Sequence, residues 1–170
     1  MPPKTPKTPK SKDKGRDKKD KKEQTPKDTP RIEETEAVGT DVETSGFGRF
    51  EYSNGTVYVG NWHLFGHNKK RHGFGKLIHA GTSHEVAPET FEGNWVEDKM
   101  NGYGVYKYTS GAIFSGEWKD DKQCGKGRYE FPDGSMYDGE WENHLMHGHG
   151  AYTDPEGVQW KGIFVNGTYE

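Results

Sequence analysis

The sequence predicts an all-β fold, a single-layer antiparallel meander of about five stacked β-hairpins behind a disordered N-terminal tail. Two observations indicate the hairpins: an aromatic-x-glycine core that recurs along the chain, and a Gly-x-Gly pair before each core. The third observation is the composition, with 24 glycines and 13% aromatic residues but only 28% hydrophobic residues in all. Because aliphatic side chains are scarce, we expect the fold to bury rings against glycine-rich backbone.

The N-terminal segment, 1–44, is predicted to be a disordered basic tail, and 45–170 to form the folded array. Residues 1–31 contain 12 Lys and Arg and 5 Asp and Glu, whereas the rest contains 12 and 22, so a +7 arm precedes a −10 body. A segment this poor in apolar residues cannot offset its ordering entropy. The tail is expected either to solubilise or tether the protein or to dock on an anionic partner.

Cysteine content and hydropathy point to a cytoplasmic protein. Cys124 is the only cysteine, so no internal disulfide is expected and a reducing compartment is favoured. No apolar run approaches the roughly 18 residues that a membrane-spanning helix needs. The N-terminus also lacks the apolar stretch of a signal peptide.

Five units follow one another from Ser45 onward. Their aromatic-x-Gly-x-aromatic cores are Tyr58-Gly60-Trp62, Phe91-Gly93-Trp95, Phe114-Gly116-Trp118, Tyr137-Gly139-Trp141 and Trp160-Gly162-Phe164. The Gly-x-Gly pairs begin at Gly46, Gly73, Gly102, Gly125 and Gly148. The last four cores are 23 residues apart, and the first gap is 33. A fixed period of this kind is typical of a repeat architecture.

The spacing of two within each core predicts β-strands, because residues i, i+2 and i+4 share one face of a strand. Between the Gly-x-Gly strand and the core strand lies a turn with glycine, as in Pro132-Asp133-Gly134, which closes a hairpin. A bare glycine leaves a slot in the sheet, so a ring from a neighbouring strand is expected to lie over its backbone. The first gap holds ten inserted residues, which we assign to two connections, HLFGHNKKRH and AGTSHEVAPE.

The motifs YVGNW, FEGNW, FSGEW and YDGEW, each near a Gly-x-Gly pair, resemble the MORN (membrane occupation and recognition nexus) repeat over about residues 46–170. The C-terminal repeats further resemble those of a small family member expressed in germ cells. The resemblance implies an assembly or docking surface, as in axonemal and cytoskeletal members of the family. It also keeps open the lipid binding from which the family takes its name.

The face opposite the core aromatics is the candidate partner face. In hairpins one to three it is apolar and contains Phe47, Phe74, Tyr103, Val57, Val59 and Ile113. A row of rings should not face water in a single-layer sheet. Two explanations stay open: the long loops fold over this face, or a partner protein covers it.

No catalytic, cofactor-binding or metal-binding residues are predicted. The eight histidines lack cysteine partners and typical ligand spacing, so we expect no metal site. No nucleophile elbow or phosphate-cradling loop is apparent, because the Gly-x-Gly pairs alternate along strands and open no helix. The chain is therefore predicted not to be an enzyme and to need no cofactor.

The sequence is compatible with two functions. The first is a scaffold or assembly subunit that binds other proteins, which the resemblance places in a cilium or flagellum axoneme, in sperm structures or in germ-cell cytoplasm. The alternative is a peripheral adaptor whose basic tail contacts acidic phospholipids on a vesicle, acrosome or phagosome membrane. Nucleic acid is an unlikely partner for a chain whose residues 32–170 have a net charge of −10. Unpaired edge strands also make an end-to-end homodimer one expectation.

Overall fold

The structure, a computed structural model, describes residues 44–81 and 86–170, which form one open antiparallel sheet. Its strands are β1 (Ser45–Glu51), β2 (Val57–Phe65), β3 (Asn68–Ile78), β4 (Thr90–Val96), β5 (Lys99–Lys107), β6 (Ile113–Lys119), β7 (Lys122–Glu130), β8 (Met136–Glu142), β9 (Leu145–Thr153), β10 (Gln159–Val165) and β11 (Thr168–Tyr169). Each strand pairs with the next in sequence, which confirms the predicted meander. The predicted tail lies outside the described residues, apart from Thr44.

Five hairpins, β1–β2, β3–β4, β5–β6, β7–β8 and β9–β10, make up the array. Four of them close through a glycine with positive φ, for example Gly111 at 88° and Gly134 at 89°. In the latter, the Gly134 N–H donates to the Phe131 carbonyl at 3.0 Å and the Phe131 N–H donates to Ser135 at 2.8 Å. The turn motifs therefore form where the sequence predicts them.

The turns between hairpins were not predicted. Two-residue turns such as Glu97-Asp98 and Asp120-Asp121 place both residues at positive φ, which is the type I′ geometry that suits twisted strands. Hydrogen bonds to the preceding unit hold them: the Asp98 N–H donates to the Arg71 carbonyl at 3.0 Å, and the Asp98 carboxylate accepts from the Arg71 N–H at 2.9 Å. Asp121 makes the same pair of bonds with Met100. These hydrogen bonds therefore connect each of these turns to the preceding unit.

One glycine in each of the ten long strands lies in a single row across the sheet. Register pairs each of these glycines with the glycine of the next strand, in the order Gly48, Gly60, Gly75, Gly93, Gly104, Gly116, Gly127, Gly139, Gly150 and Gly162. We call this the glycine row. The row consists of the second glycine of each Gly-x-Gly pair and the glycine of each aromatic core, which lie opposite each other on neighbouring strands.

Rings cover the glycine row at every junction between hairpins. A Cβ added to Gly116 would lie 2.6 Å from the Cα of Gly127 and 2.7 Å from the Cζ of Phe114, and a Cβ on Gly127 would lie 2.6 Å from the same Cζ. Real Cβ atoms do not approach other atoms so closely. Phe91 and Tyr137 cover the equivalent glycine pairs in the same way. The strands therefore approach closely only because both positions are glycine.

The covering rings also connect one hairpin to the next. Phe114 contacts Trp141 of the following hairpin edge to face, with ring centroids 5.1 Å apart, and Phe91 contacts Trp118 at 5.4 Å. Each such aromatic pair stabilises the fold by roughly 0.5–1.5 kcal/mol beyond its buried area. We call this side the ring face, and its chain of ring contacts joins units that would be marginal alone.

The first insertion is not the loop that was predicted. The chain HLFGHNKKRH instead lengthens β2 and β3, which turn at Gly66 and His67. Four extra residues add two to each strand, and a shift of two keeps every side chain on its original face. The second insertion does lie in the loop between β3 and β4, of which residues 82–85 are outside the described part.

Burial on the ring face keeps its tyrosines protonated. Burial raises the pKa of Tyr137 to about 12 from the usual 10.0, and burial likewise raises the pKa values of Tyr58, Tyr106 and Tyr108. Tyr106 also donates to the Glu89 carboxylate at 2.7 Å, which favours its neutral form further.

Stability should fall at high pH because of these tyrosines. A group whose pKa is higher when folded stabilises the fold below its unfolded value, here pH 10.0, and this stabilisation is lost as the pH rises toward 12. We expect the melting temperature to be level below pH 10 and to drop steeply above it. Thermal unfolding followed by circular dichroism measures the melting temperature at each pH. As a control, the tyrosinate absorbance of the native and the denatured protein is titrated over the same range. If the tyrosines of the native and the denatured protein titrated at the same pH, the prediction would be contradicted.

Gly127→Ala should destabilise the array because the new Cβ would overlap Phe114. Overpacking of this kind costs about 1–3 kcal/mol. The cost should shrink in a Phe114→Leu background, since leucine lacks the Cζ atom. Urea unfolding of the two single variants and the double variant measures the coupling between the sites. Additive effects would show that the ring does not exclude the side chain.

Candidate protein-interaction face

The ring face is closed by its own side chains. Of the predicted repeat-core aromatics, five have no exposed surface and four are 2–8% exposed; these are Tyr58, Phe91, Phe114, Tyr137 and Phe164, and then Trp62, Trp95, Trp118 and Trp141. Three of the indole N–H groups are hydrogen-bonded to the glycine row: those of Trp141, Trp95 and Trp118 donate to the carbonyls of Gly127, Gly75 and Gly104 at 2.9, 3.1 and 3.3 Å. This face offers its rings to the core and not to a partner.

Trp160 differs from the other core aromatics because it is only half-buried. It lies on β10, and β11 pairs with β10 only at Phe164 and Val165. The glycine beside it, Gly162, is covered by the ring of Tyr169 and not by a core aromatic. Sequence spacing assigned Trp160 the same position as Tyr137, but Trp160 covers no glycine pair and instead contacts Tyr152, with ring centroids 6.0 Å apart.

The candidate partner residues lie on the opposite side, which we call the second face. Phe47, Phe74 and Tyr103 are 70%, 55% and 58% exposed. Val57, Val59 and Ile113 lie on the same face and are half-buried. The described ends of the long β3–β4 loop do not cover these rings, because Glu89 in that loop bonds to Tyr106 on the ring face.

Register explains why the three exposed rings form one row. Each is the middle residue of a Gly-x-Gly pair, and they lie on alternate strands, β1, β3 and β5. Phe47 pairs with Asn61 and Phe74 with Asn94, so an asparagine stands between successive rings. With strands about 4.8 Å apart, neighbouring rings of the row are roughly 10 Å apart.

A β-bulge that was not predicted from the sequence fixes the positions of Phe74 and Tyr103. Between Gly93 and Trp95 the register of β4 against β5 shifts, and Gly102 takes a positive φ of 96°. Asn94 packs over that glycine and donates to the Tyr103 carbonyl at 3.3 Å. In the first four cores the residue between Gly and Trp is therefore the one that lies at the bulge, which the motif spacing alone could have indicated.

The C-terminal half of the second face has different chemistry at the same positions. Glutamates replace the asparagines: Glu117 accepts the Lys126 N–H at 3.2 Å, and Glu140 accepts the His149 N–H at 3.2 Å. Arg128 pairs with Asp138 across neighbouring strands. The row of exposed rings thus lies in hairpins one to three, and in hairpin five the second face has one exposed apolar side chain, Ile163, at 47%.

A cluster of rings extends the apolar half toward the lengthened β2–β3 turn. His63, Phe65 and His72 lie with ring centroids 5.2–5.8 Å apart, and the ammonium of Lys70 lies 5.1 Å above the Phe65 ring. The buried Nδ1 of His72 has no hydrogen-bond partner within the described ranges. Sequence reasoning assigned Phe65 and His72 to a loop and missed the cluster, which exists because both strands continue.

The histidines do not assemble into a metal site in the described part of the chain. No group of three or more His, Cys, Asp or Glu residues there could hold a metal ion. His144 lies in a turn beside Trp118, and burial lowers its pKa. His147 lies within β9 and faces the Glu142 carboxylate at 3.5 Å.

Comparison with protein-family models finds five matches to the family described as MORN repeat. They cover residues 44–57, 67–81, 91–113, 114–136 and 137–159, more than half of the chain. The last three begin at the core aromatics Phe91, Phe114 and Tyr137, so the family's unit has the same 23-residue period as the hairpins but runs from one core to the next. No curated protein sequence matches the chain.

Proposed function

The chain belongs to the MORN-repeat family, and from this premise we propose that it is a non-enzymatic scaffold whose second face binds another protein. The observation that supports this most is the row of Phe47, Phe74 and Tyr103, whose rings are more than half exposed on the face that the core does not use. Contiguous exposed apolar side chains mark interaction sites. Aromatic residues are also the ones that contribute most to binding energy.

The spacing of the row suggests the form of the partner. Successive rings are roughly 10 Å apart, measured across two strands. Residues seven apart on one side of an α-helix are also roughly 10 Å apart, because each residue rises about 1.5 Å. An amphipathic helix that crosses the strands could therefore place one apolar side chain beside each ring, with Asn61 and Asn94 available for polar contacts between them.

The assembly we propose for this scaffold is cytoskeletal, in a cilium or flagellum axoneme or in sperm or germ-cell structures. The support is the resemblance of its repeats to those of axonemal and germ-cell members of the family. The sheet is formed without a partner, and binding to a pre-formed surface loses little conformational entropy.

Phe74→Asp should remove partner binding while the sheet stays folded. Phe74 is 55% exposed on the second face, so a carboxylate there is solvated in the free protein but would be desolvated beneath an apolar partner. Proximity labelling of the full chain in ciliated cells, and of the Phe74→Asp variant in parallel, measures the effect. We expect the strongest labelled partners to fall by at least about tenfold with the variant.

Val158→Asp is the matched control, because Val158 is 52% exposed but lies in the β9–β10 loop, away from the row. Its labelled partners should equal those of the unmodified chain. Circular dichroism of both variants checks the fold. Partners that persist with Phe74→Asp would refute docking on this face.

A second candidate is a peripheral adaptor at acidic membranes, favoured by the net charge of +7 in residues 1–31. Within the described residues no helix has the length and hydropathy to cross a bilayer. The basic run of β3 is already engaged, since Lys70 pairs with Glu97 and Arg71 with Asp98, at 3.0 and 3.1 Å. Lipid contact would therefore depend on the tail.

Flotation with phosphatidylserine vesicles tests this alternative. If the adaptor function holds, the full chain floats at low salt and a chain lacking residues 1–31 does not, because each basic residue near the surface contributes roughly 1 kcal/mol. Equal sedimentation of both chains would leave the scaffold as the function. Neutral phosphatidylcholine vesicles are the control for non-electrostatic binding.

A further inference from the structure

Strand β1 has one side that no described strand pairs with. The backbone groups of Thr44 and Tyr52 point toward β2 and its turn. The Leu64 N–H donates to the Thr44 carbonyl at 2.7 Å, and the Tyr52 N–H donates to the Thr56 carbonyl at 2.9 Å. Backbone groups alternate in direction along an antiparallel strand, and β1 pairs with β2 without a register shift. The residues whose N–H and C=O groups point away from the sheet are therefore Ser45, Phe47, Arg49 and Glu51. We call this side the β1 edge.

The other end of the sheet is blocked beside the glycine row. There β11 pairs with β10 at Phe164 and Val165, and the Glu170 N–H donates to the Ile163 carbonyl at 3.0 Å. The ring of Tyr169 covers Gly162, the last member of the glycine row, with its Cε2 2.8 Å from the position of an added Cβ. A strand cannot continue the row at that end without displacing Tyr169.

The β1 edge, in contrast, continues the pattern found between hairpins. Within the sheet, β3, β5, β7 and β9 use the corresponding side to approach the preceding hairpin, where two glycines of the row meet closely. In β1 the slot over Gly48 is filled by Phe50 of the same strand, whose Cε2 is 3.2 Å from the position of an added Cβ. An incoming strand must therefore bring a glycine to this point, without a ring of its own over it.

We propose that the β1 edge pairs with the β1 edge of a second copy of this chain, antiparallel, about a two-fold axis beside Gly48. This pairing sets Gly48 against the partner's Gly48, as a close non-hydrogen-bonded pair of the kind that the row forms between hairpins. The result is one continuous sheet, and the isologous contact closes at a dimer.

The side chains of β1 complement one another in this register. Phe50 lies beside the partner's Gly46, and because the ring of Trp62 lies over Gly46, 2.8 Å from the position of an added Cβ, Phe50 would meet that indole of the partner. Phe47, at 70% the most exposed of the large apolar side chains described, lies beside the partner's Arg49, whose guanidinium can stack on the ring. Ser45 lies beside the partner's Glu51. All seven residues of β1 are paired, because Gly48 is the midpoint of Ser45–Glu51.

Neighbouring registers are worse. A shift that centres the pair on Arg49 sets that residue against the partner's Arg49, and like charges directly opposite are destabilising. A shift that centres it on Phe47 leaves Phe50 and Glu51 beyond the paired strand. The charge of Arg49, the glycine at position 48 and the length of β1 therefore all favour the register centred on Gly48.

Sedimentation equilibrium of the full chain, from micromolar to millimolar concentration, tests the proposal. We expect a monomer–dimer equilibrium without larger species. Arg49→Pro removes an outward N–H that β2 does not use, so the hairpin should remain. Two equivalent hydrogen bonds are lost in each dimer, and the dissociation constant should rise by at least about tenfold. Arg49→Ala, which keeps the N–H, should weaken the dimer less.

A spin label at Glu51→Cys, in a Cys124→Ser background, gives an independent distance. The proposed register places the two Glu51 Cα atoms roughly 20 Å apart, six residues along the strand direction. A monomer at every concentration, a dimer unaffected by Arg49→Pro, open-ended oligomers, or a distance far above this value would each overturn the proposal. Docking on the second face is tested separately, because Phe74→Asp should leave the dimer intact.

Discussion

The close approach of strands at the glycine row is the constraint on which the rest of the structure depends. Because both members of each pair between hairpins lack a Cβ, a ring such as Phe114 can lie across two strands at once. One ring therefore serves two hairpins, and its edge contacts the tryptophan of the following hairpin. This explains how a chain with few aliphatic residues obtains a continuous core in a single layer.

The same constraint separates the two faces of the sheet. All large side chains needed for the core point to the ring face, so residues of the second face are not required to pack. Their chemistry can change along the array while the fold stays the same. Asn94 and Glu117 hold equivalent bulges in different ways, and beside them the exposed side chain changes from Tyr103 to Lys126. A repetitive fold thereby gains a local apolar site.

The sequence predicted strands, hairpins and the separation of the faces because these follow from a period of two and from turn glycines. It did not predict features that depend on contacts between units. The Glu97-Asp98 turn lacks glycine and is held by Arg71, 27 residues away. The cluster of His63, Phe65 and His72 needed β2 and β3 to be longer than the repeat. Local propensity cannot indicate such distant partners.

The ends of the array show what the repeat itself cannot supply. Inside the sheet, the ring over each Gly-x-Gly strand comes from the preceding hairpin, so the first strand has no source for it. Phe50 fills that slot over Gly48 from its own strand, and Tyr169 fills the last one over Gly162 from β11. Interior units are therefore interchangeable in principle, whereas the terminal units are not, because each needs a ring that its neighbours do not provide.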